Sequence, residues 1–243
     1  MISGLDHVVV LVEDIKTAAR AYELLLGLSP SWRSDGDGSK TVLFTLDNMS
    51  LELMAPAGDT PTAGRIREII GNTDSGSILR WKRTRAATDL TRGVRIFFLE
   101  LADERPYSAA TSPSSILGLD HVVISTGDPE RAAALYGARL GLDMALDRSH
   151  HDWGELMFFR CGDLIVEVVK RPVADADPTH DKLWGLSWRV TDIDATRARL
   201  VAAGIGVSEV RTGRKPGTRV ISVRDGTCGV HTLLLERTAQ LPS

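Results

Sequence analysis

The chain has 243 residues, 43% of them hydrophobic and 25% charged, with a formal net charge of −3. That balance gives no bulk attraction to nucleic acid or to an acidic membrane surface. The longest apolar runs are about six residues, far short of the roughly 20 that a spanning helix needs. Only Cys161 and Cys228 are present, which excludes a disulfide framework and a zinc pattern.

Residues 7–12, H-V-V-V-L-V, are short and β-branched and predict a strand headed by a histidine. Asp14 is placed to cap a helix over 16–26, where Ala18, Ala19, Tyr22, Leu25 and Leu26 recur at helical spacing. Gly27 is placed to end that helix in a left-handed cap. Strands are expected at 42–46 and at 50–55, the second carrying Glu52. The next stretch is irregular. P-A-G-D-T-P-T-A-G reads as a loop, 65–70 as a short amphipathic helix, and R-W-K-R-T-R-A-A-T at 80–88 as a basic segment. A strand within T-R-G-V-R-I-F-F-L-E, 91–100, closes the first half.

Residues 118–142 then repeat residues 4–28, with 13 of 25 positions identical. A strand opening on His121 is followed by Asp128 as helix cap, Pro129 in the first turn, an Ala-rich helix to Leu140 and Gly141 as stop. Strands at 156–161 and 164–169 follow, the latter carrying Glu167. A second-level repeat continues: a strand at 185–191, a cap at Asp192 or Asp194, a helix over 195–203, and strands at 207–210, 218–223 and 230–236. The fold class expected is α+β: tandem strand–helix–three-strand modules in two domains, 1–112 and 113–243, with curved mixed sheets around a concave pocket. Glu52 and Glu100 are 48 residues apart, whereas Glu167 and Glu236 are 69 apart. The shortfall of 21 matches the strand and helix at 185–204, so the second module of the first half reads as shortened.

The L-D-H-V-V segments at 5–9 and 119–123, the Tyr22–Leu28 and Tyr136–Leu142 helix ends, the strands at Glu52 and Glu167, and D-G-T-C-G-V-H-T-L-L-L-E at 225–236 resemble the vicinal oxygen chelate superfamily. That superfamily includes glyoxalase I, extradiol dioxygenases, methylmalonyl-CoA epimerase and bleomycin-resistance proteins. The resemblance implies βαβββ modules around a small-molecule pocket and is much less specific for reaction.

Strand alternation puts His121 on one face with Val123, and Glu167 on one face with Ile165 and Val169. The resemblance places both residues in the cleft, with His7 and Glu52 as a second half-site. Histidine and carboxylate suit Zn, Fe, Mn or Ni. The further ligand positions of metal-binding members fall, however, on Leu186 and Leu233, which cannot ligate. A slip of one residue offers Ser187 and either Thr232 or Leu234. His231 is a candidate third nitrogen. No cofactor is therefore expected, a divalent metal at His121 and Glu167 being the alternative, and the pair is read as an acid–base unit.

Leu186, Trp188 and Leu233 are expected to line the pocket. Arg214 and Arg219, in the basic loop 211–219, are placed to hold an anionic substrate. His150, His151 and Asp152 read as an exposed turn, and His180 with Asp181 as linker. Trp153, Phe158, Phe159 and Trp184 gather in the same half, with only one of the two phenylalanines able to face the cleft.

Two functional classes follow. One is a lyase or isomerase acting by proton transfer on a small anionic or oxygenated metabolite. The other is a metal-free sequestering protein of the bleomycin-resistance type. The partner expected is a small molecule, with no nucleic acid and no membrane, and the chain is compatible with a homodimer. The N-terminus M-I-S-G-L-D lacks the regions of a signal peptide, so a cytoplasmic setting is expected.

Overall fold

The computed structural model describes residues 2–36, 39–56, 67–72, 78–101, 112–150, 154–170 and 179–237. The first half opens with β1 (His7–Leu11) and α1 (Ile15–Leu26). Asp14 accepts from the Thr17 amide at 2.7 Å, and Gly27, at φ 69°, closes the helix with its amide on the Glu23 carbonyl. The strands β2 (Trp32–Gly36), β3 (Ser39–Thr45) and β4 (Ser50–Pro56) complete a sheet ordered β1-β4-β3-β2. The buried face of α1, Ala18, Ala19, Tyr22, Leu25 and Leu26, packs on it.

Next come β5 (Arg67–Asn72), β6 (Ile78–Arg85) and β7 (Phe97–Leu101), a separate three-stranded antiparallel sheet. One expectation is corrected here. Residues 67–70 are strand rather than helix, since the ladder to β6 supplies the backbone partners that a short isolated helix lacks. The basic segment is likewise strand, with the Arg83 guanidinium 5.2 Å from the centre of the Phe97 ring. Among the described residues no helix lies between β4 and β7.

The second half builds one eight-stranded sheet. Its strands are β8 (Ile116–Ser125), β9 (Asp143–His150), β10 (Gly154–Cys161), β11 (Leu164–Lys170), β12 (Lys182–Val190), β13 (Arg211–Thr212), β14 (Thr218–Val223) and β15 (His231–Arg237). They run in the order β13-β14-β15-β12-β8-β11-β10-β9. Helix α2 (Pro129–Ala133) continues without a backbone break into a π-helical stretch at Ala134–Arg139, so the Ala-rich helix expected up to Leu140 forms, with its later turns widened. Helix α3 (Ile193–Ala202) is capped by Asp192. The strand expected at 207–210 reduces to a single bridge, Val207 to Val223, with the regular pairing starting at Arg211.

The helices cover one face of this sheet. Val122, Ile124, Val166, Val168, Leu186, Trp188 and Leu234 point to that side and join one buried cluster that also takes in β1, α1 and β4. Polar seams bind the halves as well. The Asn48 side chain brackets Leu119, donating to its carbonyl at 2.9 Å and accepting from its amide at 3.0 Å. Arg199 of α3 donates to the Leu24 carbonyl, to Leu25 at 2.9 Å and to Ser114 at 3.0 Å, satisfying carbonyls at the C-terminal end of α1 that the helix leaves open. Tyr22 reaches the Thr227 carbonyl at 3.1 Å.

Candidate active site on the helix-free face

The two central strands of the large sheet deliver the candidate residues. In the parallel β8–β11 pair, His121 lies beside Ile165 and Val123 beside Glu167, so histidine and glutamate are diagonal neighbours on one face. His121 Nε2 is 3.3 Å from Glu167 Oε2. The other ring nitrogen, Nδ1, is 3.0 Å from Asp120 Oδ1.

Neighbouring residues of a regular strand point to opposite faces. Here the β8–β12 ladder goes from the pair Ser187–His121 directly to Trp188–Leu119, leaving Asp120 unpaired. The Asp120 carboxylate turns toward the ring of the next residue. Sequence reasoning passed over Asp120; its signal was the D-H dipeptide present in both repeats.

The first half repeats the arrangement. His7 Nδ1 is 2.6 Å from Asp6 Oδ2, and Nε2 is 3.3 Å from Glu52 Oε2. Ser50 takes the ladder position beside His7 that Ile165 takes beside His121.

Electrostatics separate the two carboxylates of the second-half site. Burial would raise Asp120, but the hydrogen bonds and charges of His121 and Arg237 prevail and hold it down to about 2. An ionised Asp120 accepts, so Nδ1 carries the proton and Nε2 turns its lone pair toward Glu167. Burial pushes the Glu167 carboxyl up, against opposing pulls from His121 and Arg214. Arg214 stands on the exposed turn between β13 and β14, and its charge acts on this carboxylate.

Register defines the surroundings. One row across the sheet reads His231, Gly185, Val123, Glu167, Phe158, and the next reads Leu233, Ser187, His121, Ile165. Ser187, buried to 3%, and half-buried Leu233 therefore share the His121 face. Leu186 does not: it pairs with Val122, faces the helices and is 1% exposed. Trp188 is fully buried in the same core and leaves the pocket list too. The reason for both corrections is parity, since an offset of one residue reverses the facing of every side chain on a strand.

Trp184 replaces them. It is the extra residue of β12 between the pairs Leu183–Ile124 and Gly185–Val123. Its ring stacks on His231, centroids 4.2 Å apart and planes 21° apart. Trp184 and Phe158 also pack against the cluster of Val123, Leu156 and Val169, an apolar floor beside the polar corner. Phe158 faces this side, while Phe159 is fully buried against Tyr136 on the other.

Other expectations are redirected. His231 lies three strands from Glu167 and is engaged by Trp184, so it does not join the His121 cluster. Arg219 is on the helix side, held by Asp194 at 2.8 and 3.0 Å and by Glu236 at 3.1 Å. Asp181 is no loose linker residue: it is buried, with Arg92 at 3.2 Å and the Thr126 hydroxyl at 2.7 Å. A depression of about 350 Å³ lined by Arg92, Arg131 and His180 adjoins that junction and is separate from the His121 face. His151, Asp152 and Trp153 lie outside the described residues, as does the side chain of His150.

A metal fits this donor set poorly. Ordinary catalytic zinc sites take three protein ligands. His121 and Glu167 supply two, Leu233 supplies none, and among the described residues no third His, Cys, Asp or Glu completes a group. No helix among those residues is long and apolar enough to cross a membrane.

This architecture, paired βαβββ modules with a histidine and a carboxylate on the helix-free face, defines a class. Residues 118–230 match the family model described as Glyoxalase/Bleomycin resistance protein/Dioxygenase superfamily. The match covers 113 of the 243 residues. Similar solved structures include methylmalonyl-CoA epimerase from Mycobacterium tuberculosis, 23% identical, covering 55% of this chain and 94% of that one at a TM-score of 0.46. A hypothetical protein from Bacillus halodurans C-125 is 16% identical, covering 51% and 97% at 0.44. Streptomyces coelicolor methylmalonyl-CoA epimerase in complex with 2-nitronate-propionyl-CoA is 19% identical, covering 52% and 100% at 0.43. No curated protein matches the chain.

Proposed function

We propose that the second half binds a small anionic, oxygenated metabolite on the helix-free face and moves a proton on it, as a lyase or isomerase. The observation that carries this reading is the Asp120–His121–Glu167 cluster, with Asp120 3.0 Å from one ring nitrogen of His121 and Glu167 3.3 Å from the other. Simple sequestration has no use for such a cluster.

The step is a deprotonation next to a carbonyl. The C–H proton passes to the His121–Glu167 pair, and the electron pair moves onto the carbonyl oxygen. Arg214, on the turn above, steadies the negative charge that develops there. Return of the proton to the other face of the carbon gives an isomerase; loss of a leaving group from the next carbon gives a lyase. Asp120 keeps its charge throughout and stabilises the imidazolium.

The runner-up is metal-free sequestration, favoured by the apolar floor and the Trp184–His231 stack. A panel of small 2-substituted carboxylates and thioesters incubated in D₂O separates the two. Exchange of the α-hydrogen, followed by NMR and lost in His121→Ala and Glu167→Gln, supports proton transfer. Quenching of tryptophan emission without any exchange selects sequestration, and neither signal across the panel removes both readings.

A further inference from the structure

The row of the sheet that holds His121 runs on past Ile165. Ile165 pairs with Arg160 of β10, and Arg160 with Asp143 of β9. Residues paired across a ladder share a face. The row on the helix-free side therefore reads Ser187, His121, Ile165, Arg160. Ile165 is half-buried and Arg160 is exposed. Neighbouring strands stand about 4.8 Å apart, so Arg160 lies two spacings, about 10 Å, from His121 along the sheet.

Arg160 has no task in holding the fold. It enters no hydrogen bond or ion pair among the described residues, and Asp143, directly across the ladder and also exposed, is not within ion-pair distance of it. The repeat supplies a comparison. Ser50 stands beside His7 where Ile165 stands beside His121, and Ser50 pairs with Thr45. Thr45 is thus the first-half equivalent of Arg160, and its hydroxyl is 2.7 Å from that of Ser31. The same ladder accepts a small hydroxyl at this place, so the guanidinium belongs to the second-half site rather than to the scaffold.

The opposite end of the row is polar in another way. The Ser187 side chain is buried and has no hydrogen-bond partner among the described residues. Arg214, whose charge acts on Glu167, comes from the turn between β13 and β14, on the β12 side of the sheet. Both suit the carbonyl oxygen on which negative charge develops, and that assignment leaves Arg160 at the far end.

We propose that Arg160 holds a carboxylate of the substrate remote from the reacting carbon, so that the ligand lies across the strands from β12 to β10. The inference rests on the proton-transfer reading and names its substrate class, a carbonyl compound with a distal carboxylate. The planar guanidinium fork matches the two oxygens of a carboxylate. The negative charge of Asp143 next to it disfavours the greater charge of a phosphate. Ile165 supports the chain that links the two ends.

Five- and six-carbon 2-oxo diacids, with their ω-methyl esters as neutral-ended controls, test it on the full chain. Affinity is read from tryptophan emission, and exchange of the hydrogens beside the ketone by NMR in D₂O. The wild type is expected to bind each diacid about 10-fold more tightly than its ester. Arg160→Gln is expected to bind the two alike, with an unchanged melting temperature because the side chain is exposed. Arg160→Lys should restore part of the preference, and Asp143→Asn should raise it by removing the nearby negative charge. Equal binding of diacid and ester by the wild type overturns the proposal, as does a preference that survives in Arg160→Gln or an absence of binding by every diacid. A preference carried by Arg160 without exchange keeps the anchor and removes proton transfer. Exchange lost in His121→Ala but indifferent to the distal carboxylate keeps proton transfer and removes the anchor.

Discussion

Ser187 stands directly across the β8–β12 ladder from His121, with Leu233 beyond it in the same row. A buried hydroxyl therefore borders the histidine–glutamate pair on a side where an aliphatic wall was expected from Leu186. The site is a polar corner made of Asp120, His121, Glu167 and Ser187. It opens onto an apolar floor of Val123, Leu156, Val169 and Phe158 bounded by Trp184. Such a division suits a ligand with an oxygenated head and an apolar remainder.

Glu167→Gln is expected to abolish exchange and to stabilise the fold at neutral pH. A buried carboxyl whose pKa is raised above the ordinary 4.5 favours the folded state while protonated. That contribution is full below pH 4.5 and is lost as pH rises through the folded-state value. Glutamine mimics the protonated form at every pH. Thermal melts of the two proteins should coincide below pH 4.5 and diverge above it in favour of the variant; the opposite order at pH 7 refutes the assignment.

Asp120→Asn is expected to slow exchange by about 10–100-fold through loss of the fixed tautomer. Its stability profile should have the reverse sign. A carboxylate lowered to about 2 from 3.8 contributes stability above pH 3.8, and that contribution fades as pH falls toward 2. Acid denaturation followed by circular dichroism should therefore find the variant less stable at pH 5 and equal to wild type near pH 2.

Gly185→Ala should destabilise out of proportion to its size. A Cβ there would lie 2.8 Å from the His231 carbonyl oxygen, and a backbone atom in a ladder cannot step aside cheaply. A cost of about 1–3 kcal/mol follows, read as a fall in Tm of a few degrees. A melt identical to wild type would mean that β15 yields at this point.

Arg199→Lys should loosen the seam between the halves. Only the guanidinium fork reaches the Leu24, Leu25 and Ser114 carbonyls together. Loss of two such bonds to a charged group is worth about 3–6 kcal/mol, and denaturant unfolding should become biphasic or shift to a lower midpoint. Amide exchange should speed up first at the C-terminal turn of α1.

Trp184 is the optical handle. A ligand on the helix-free face should perturb the Trp184–His231 stack, whereas Trp188 is fully buried in the core and should stay silent. Titrating Trp184→Phe and Trp188→Phe with the same ligand panel checks the assignment. Quenching that persists in Trp184→Phe and vanishes in Trp188→Phe would reverse it.

The pairing of His121 with Glu167 was implied by the resemblance to a known family. The repeat, the module order and the helix caps at Asp14, Asp128 and Asp192 or Asp194 were legible in the chain itself. Each rests on local chemistry or on a period of two along a strand, which neighbouring residues carry by themselves. What only the tertiary structure decided was parity and partnership across strands. Two bulges, at Asp120 and Trp184, shift the alternation by one residue each, and a bulge is set by the ladder rather than by the strand that contains it. Trp184 came to the site as the extra residue of β12, while pairing with Val122 sent Leu186 to the core and pairing with His121 brought Ser187 to the site. Arg219 was drawn to Asp194 and Glu236 by contacts between residues distant in sequence, where no local pattern can record them.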